Sequence, residues 1–246
     1  MTRDEAQLYA LVHDGSPGDL AFYVRFCGEG RTVLELGVGT GRVARALADE
    51  GFDVTGVECD AGMLAEARAH PHESVTLVEG DMRDLNLGAT FDRIILPFTG
   101  LYCLPDEDAL DRCLTGVRRH LAPGGLFAFD VYAADGFHEE ARPEDYPDDQ
   151  MDHVTDIEHG GERLAVFESS SWDRDAQTML ARYTYRREDG TTRASIPIHH
   201  RYVLRDQLSA ALETAGLASL GVFGSFDGAP YDRDSASMIV MAERAS

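Results

Sequence analysis

Val33-Leu34-Glu35-Leu36-Gly37-Val38-Gly39-Thr40-Gly41-Arg42 decides the reading of this chain. Residues 32–36 are apolar and rich in branched side chains, as a buried strand is, and residues 42–49 place Val43 and Leu47 on one helical face. Between them, three glycines within five residues let the backbone turn tightly and approach a ligand with no Cβ in the way. The helix that follows adds free N–H groups and the positive end of its dipole. Dinucleotide binders use the same device, but their third glycine would fall at position 42, where this chain has Arg42.

Working outward from this loop, strand-like and helix-like segments alternate. Residues 53–57, 75–78, 91–96 and 126–131 read as further strands, and 61–69 and 104–121 as helices. Such alternation predicts an α/β fold: a Rossmann-like, seven-stranded, mostly parallel sheet with helices on both faces. Ligands of such sheets bind at the carboxyl ends of the strands. Two more chemical groups fall there. Glu58 ends the second strand, 17 residues after Gly41, where a carboxylate can accept both hydroxyls of a ribose. Gly80-Asp81-Met82 follows the third strand, offering an acceptor for an adenine amino group and a side chain to pack on the ring.

The pattern changes after residue 134. Residues 135–156 are acidic, with prolines at 143 and 147, and read as a long loop or cover. Three strand-like runs follow, 163–171, 178–187 and 194–204, joined by turn-rich segments as an inserted antiparallel β meander. A helix over 206–215 and strands near 220–223 and 237–241 return to the core. The expected organisation is a helical cover over 1–30, a core of 31–134 and 205–246, and a substrate cover over 135–204.

Charge narrows the partners. The formal net charge is −22, which repels phosphate backbones, so neither nucleic acid nor a membrane surface is expected as a partner. Every basic side chain is arginine or histidine, which removes lysine Schiff-base chemistry. The cysteines Cys27, Cys59, Cys103 and Cys113 show no metal-ligand spacing, and no metal is expected. Met1-Thr2-Arg3-Asp4-Glu5 leads into no apolar run, so a cytoplasmic protein, monomer or homodimer, is the expectation.

In the order and spacing of these motifs the chain resembles the class I S-adenosylmethionine-dependent methyltransferases, over essentially its whole length. The loop from Glu35 to Gly41 looks like their first motif, Glu58 like their ribose acid, Gly80-Asp81-Met82 like their adenine-edge motif, and Leu121-Ala122-Pro123-Gly124-Gly125 like their turn before the fifth strand. Asp19-Leu20-Ala21-Phe22-Tyr23 and the late antiparallel insertion resemble small-molecule members, among them the amino-sugar N-methyltransferases. The resemblance implies S-adenosylmethionine as cofactor, S-adenosylhomocysteine as product, and a small-molecule acceptor methylated on N or O. It implies a cofactor site drawn from Tyr9, Tyr23, Glu35, Gly37, Gly39, Gly41, Arg42, Glu58, Cys59, Met63, Asp81, Met82, Pro97 and Tyr102. Aromatic packing of short helices is the alternative for Tyr9 and Tyr23.

The strand ending Ile95-Leu96-Pro97-Phe98 lacks the Asn/Asp-Pro-Pro-aromatic motif of nucleic-acid amino-methylating members. Pro97 also stands where divalent-metal members carry an acid, leaving Asp130 a structural reading. No general base is dictated: an amine needs only to arrive neutral, whereas a hydroxyl gains from a base. His199, His200 and Tyr102 are the candidates near the reacting groups, the two histidines lying on opposite faces of an extended segment. Two other readings share the glycine loop, an NAD-linked oxidoreductase and a non-catalytic S-adenosylmethionine-binding sensor or scaffold.

Overall fold

Alternate residues along each central strand enter different cores, and this organises the whole molecule. Leu34, Ile94, Phe127 and Val240 face one side of the sheet, whereas Val33, Ile95, Ala128 and Ile239 face the other. The structure, a computed structural model, describes residues 1–142 and 150–245. The strands β1 (Thr32–Leu36), β2 (Asp53–Glu58), β3 (Val75–Glu79), β4 (Phe91–Leu96), β5 (Leu121–Tyr132), β10 (Leu217–Phe223) and β11 (Ser237–Arg244) form one seven-stranded sheet. Its order is β10-β11-β5-β4-β1-β2-β3, with β11 running antiparallel to both of its neighbours. The order reverses after β1: β2 lies on one side of it and β4 on the other, and the glycine loop opens at this switch point.

Helices α5 (Glu107–His120) and α7 (Arg205–Thr214) cover one face, and α2 (Asp19–Cys27) and α3 (Arg42–Asp49) the other. Helix α4 (Ala61–Ala69) starts at Asp60, whose carboxylate accepts from the N–H groups of Gly62 and Met63, both at 2.9 Å. Helix α5 starts later than its apolar pattern suggests, because Asp106 caps it by accepting from the Ala109 N–H at 2.8 Å. The Ala122-Pro123-Gly124-Gly125 segment lies inside β5 instead of ending a helix before it. At Gly125 a Cβ would meet the carbonyls of Ala122 and Phe91, so the strand passes there on glycine alone.

The insertion is a second sheet, in strand order β6-β7-β8-β9. Strands β7 (Glu162–Asp173), β8 (Thr178–Arg187) and β9 (Thr192–Arg201) match the expected meander, but β6 (Asp152–His159) and α6 (Asp135–Glu140) lie in the stretch read as loop. The β6 segment Asp-His-Val-Thr-Asp-Ile-Glu-His is a polar edge strand with only alternate residues half-buried, so it lacks the apolar signature of a core strand. The acidic residues 143–149 lie outside the described residues. Helix α1 (Arg3–Ala10) joins the two sheets. Leu8 is buried among Leu164, Val166, Tyr185 and Ile196, the Tyr185 hydroxyl donates to the Leu8 carbonyl at 3.1 Å, and the opposite side of α1 rests on α4.

Candidate active site

At the carboxyl ends of β1, β2 and β4 a cavity opens, bordered by Tyr9, His13, Glu35, the loop from Gly37 to Thr40, Arg42, Glu58, Cys59, Met63, Gly80, Met82, Pro97 and Phe98. Gly37 and Gly39 have left-handed φ values of 63° and 57°. A Cβ on Gly37 would meet nothing within 4 Å, and one on Gly39 only a carbonyl at 3.9 Å. Their bareness therefore serves the backbone conformation and the close approach of a ligand, and no protein neighbour demands it. Glu58 is buried and joins two strand ends: its Oε2 accepts from the Gly39 N–H at 2.9 Å and its Oε1 from the Asp60 N–H at 2.8 Å. Each oxygen keeps a lone pair for a further donor.

Glu35 lies beneath the loop, buried, with Oε2 lacking any hydrogen-bond partner among the described residues. Burial pushes its carboxyl up to about 8, against the pull of Arg42 and Arg45. A neutral acid at the floor of a cavity is matched by a ligand that brings a cation or a strong donor. Arg42, which replaces the dinucleotide glycine, pairs with Asp19 at 2.6 Å and so binds α2 to the start of α3.

The β4 end carries backbone strain that its sequence does not announce. Phe98 and Thr99 are non-glycine residues with φ of 53° and 62°. Asp130 holds the turn: its Oδ1 accepts from the Phe98 N–H at 2.9 Å and from the Tyr23 hydroxyl at 2.5 Å, and its carbonyl accepts from the Thr99 N–H at 3.0 Å. Burial raises Asp130 to about 6, with the Tyr23 and Phe98 hydrogen bonds opposing it.

A second cavity of about 560 Å³ adjoins the first at Cys103 and is bordered by Tyr102, Pro105, Trp172, Met179, His199 and His200. His199 is exposed and His200 half-buried. Burial brings His200 down to about 4, with His13 and His199 adding to the shift.

Of the residues expected at the cofactor, Tyr9, Glu35, Gly37, Gly39, Arg42, Glu58, Cys59, Met63, Met82 and Pro97 come together around the first cavity. Four do not border it. Tyr23 is enclosed on Asp130, and Gly41 opens on a separate depression beside Arg45. Asp81 pairs with Arg83 at 2.8 Å, which holds its carboxyl below the usual range. Tyr102 is enclosed, its hydroxyl donating toward the carbonyls of Val203 and Tyr132 at 3.0 and 3.2 Å, and it borders the second cavity. His13, Phe98 and Gly100 also border the first cavity, and no sequence motif marks them. A positive φ at Phe98 leaves no mark on a sequence, and His13 gains its surroundings from Tyr183, 170 residues away.

A family model described as a methyltransferase domain matches residues 33–125, the span from β1 into β5. The chain belongs to the S-adenosylmethionine-dependent methyltransferases, which removes the oxidoreductase reading. It is similar to the cypemycin N-terminal methyltransferase of a Streptomyces species, at 30% identity over 88% of this chain and 84% of that one. It is also similar to the dTDP-3-amino-3,6-dideoxy-alpha-D-glucopyranose N,N-dimethyltransferase of Streptomyces fradiae, at 31% identity over 87% and 83%. Among solved structures, the CcbJ methyltransferase from Streptomyces caelestis superposes with a TM-score of 0.79 at 29% identity, covering 94% of this chain and 91% of the other.

Proposed function

We propose that this protein transfers a methyl group from S-adenosylmethionine to the nitrogen of a small-molecule amine. The observation that carries the reading is the Glu58 carboxylate, tied to the Gly39 N–H at 2.9 Å, so that the glycine loop and the ribose acid form one rigid unit. In this reading the residues bordering the first cavity hold the cofactor, with Glu58 accepting from the ribose hydroxyls and Met82 packing on the adenine. Glu35 takes the donor it lacks from the cofactor's amino group. Tyr9 closes the cavity from α1. Asp81, now engaged by Arg83, meets the adenine amino group only if that pair opens.

The cofactor supplies a methyl already activated by its positive sulfur. The chain's task is to align an acceptor in line with it, an effect worth up to about 7–11 kcal/mol. The second cavity has the size of a small-molecule site, and because Cys103 lines both cavities, an acceptor held there lies beside the cofactor cavity. Nitrogen is favoured over oxygen because one similar protein is named an N,N-dimethyltransferase of an amino sugar and another an N-terminal methyltransferase, and because an amine needs no strong base. The charge of −22 supports a small acceptor in place of a nucleic acid, and four free cysteines support a reducing, cytoplasmic setting. No helix among the described residues is long and apolar enough to cross a membrane.

Titration calorimetry with S-adenosylmethionine tests the reading. Gly39→Val fills the ligand side of the loop and should weaken binding at least 100-fold. Glu58→Ala removes charge-assisted hydrogen bonds worth about 1.5–3 kcal/mol, or roughly 10- to 100-fold. Unchanged affinity in both variants would overturn the site.

A further inference from the structure

Two histidines in this fold start from the same local bond and end differently. His120 sits on α5, its Nδ1 at 2.7 Å from the carbonyl of Gly116, four residues back, and its Nε2 accepts from the Leu87 N–H at 3.0 Å. It is a fully satisfied core residue. His13, just past α1, has Nδ1 at 2.9 Å from the carbonyl of Tyr9, also four residues back. A carbonyl only accepts, so Nδ1 carries the hydrogen and Nε2 is left with a bare lone pair. That Nε2 is enclosed and has no partner among the described residues.

The surroundings hold this ring in one place. Tyr9 stacks on it at 4.0 Å between centroids and 6° between planes, Tyr183 meets it edge-on at 4.5 Å, and Phe98 at 6.3 Å. Tyr9, Phe98 and His13 all border the cofactor cavity, and Phe98 is held by the strained turn after β4. The charged and titratable groups that face His13 are Asp14 beside it, Tyr9 on α1, Glu168 on β7, Tyr183 on β8 and His200 on β9. Burial lowers the His13 pKa, outweighing the Tyr9 carbonyl, Glu168 and Asp14, which act to raise it.

We propose that His13 is a catalytic residue, its Nε2 accepting a hydrogen bond from the N–H of the methyl acceptor and so aiming the amine lone pair at the methyl group. The inference rests on the methyl-transfer reading above. In the step, the nitrogen lone pair forms the new N–C bond while the S–C bond breaks, and its electron pair stays on sulfur as a neutral thioether. The nitrogen becomes cationic, and the proton it must lose passes along its hydrogen bond to Nε2, which gives it up once the product has left. Glu168, whose charge acts on His13, favours the cationic product. A neutral imidazole suits this task, since an imidazolium would point a donor at the nucleophile and add positive charge beside the sulfonium. It suits an amine better than an alcohol, whose hydroxyl would need a far stronger base.

Nitrogen-15 NMR of the ring nitrogens at pH 7 tests the first half on the whole protein. His13 should be neutral, with hydrogen on Nδ1 and none on Nε2; a proton on Nε2 overturns the proposal. His13→Phe keeps the aromatic stack and removes the acceptor atom. With an amino-sugar nucleotide and a short peptide with a free N-terminus as probe acceptors, it should lower kcat/KM on the order of 100-fold. S-adenosylmethionine affinity should change less than threefold. His13→Gln, which restores an acceptor oxygen, should recover part of the loss. Normal turnover in His13→Phe overturns the role of His13 while leaving the methyltransferase reading standing. A wild-type chain that binds no S-adenosylmethionine overturns both.

Discussion

The two sheets of this molecule are written in different ways. In the seven-stranded sheet the chemistry sits at strand ends, where a backbone constraint fixes residue type: glycine at the turns after β1, a carboxylate at the end of β2, a capping aspartate at Asp60. In the four-stranded sheet the chemistry sits on side chains that alternate along β7, β8 and β9, and no backbone rule selects them. A substitution at a strand end of the first sheet disturbs a turn, whereas a change of lining on the second sheet leaves the backbone pairing intact. Helix α1 is the seam, with Leu8 in the small core against the second sheet and its other side on α4.

The strongest way to break this division is at the seam. Leu8 is fully buried against Leu164, Val166, Tyr185 and Ile196. Leu8→Ala should cost about 2–5 kcal/mol of local stability. Hydrogen exchange should rise across α1 and β7–β9 first, while β1, β4 and β5 stay protected. Equal loss of protection in both sheets would show that the core and its cover unfold as one unit.

A smaller effect sharpens the cofactor side of the comparison. Glu35 in the folded chain titrates at about 8, and an unfolded glutamate near its ordinary value of about 4.3. Between those values the native state holds the extra proton, so stability should fall as pH rises through that window and be flat with respect to Glu35 below it. The amplitude should be on the order of 2 kcal/mol, smaller than the full shift because surrounding dipoles relax around the charge. Glu35→Gln should flatten this slope, measured by denaturant unfolding from pH 4 to pH 9. Binding of S-adenosylmethionine at pH 7 should also release a proton from Glu35, seen by calorimetry in buffers of different ionisation enthalpy.

What was legible beforehand follows the same line. The glycine loop, Glu58, the parallel order and the meander could be read because each leaves a periodicity or an obligatory residue type. The polar strand β6 could not, because an exposed edge needs no apolar face. The start of β5 is hidden in the sequence because Pro123-Gly124-Gly125 reads as punctuation, whereas pairing with β4 carries the strand through it. Tyr23 and Tyr102 have the residue type of a ligand wall, yet their hydroxyls meet Asp130 and the Val203 carbonyl, partners supplied by distant segments. His13 leaves no mark on the sequence for the same reason: an unpartnered nitrogen is a property of packing.

The gentlest probe lies on the outer side of the seam, where Asp4 on α1 accepts from His159 at 2.9 Å and from Arg193 at 2.7 Å. The His159 hydrogen bond is the leading reason its carboxyl lies below the ordinary value, with Arg193 adding to it and burial opposing. A depressed carboxylate contributes stability that is present above the unfolded value of about 3.9 and lost as pH falls through the lower folded one. Asp4 is partly open to solvent, so the pair is screened and the contribution should stay under about 1 kcal/mol. Asp4→Asn should therefore lower Tm slightly at pH 7, and the gap from wild type should close below pH 3 and shrink in 1 M salt. A gap unchanged by salt and pH would mean that Asp4 holds α1 by shape. Charge would then have no share in fastening the second sheet to the first.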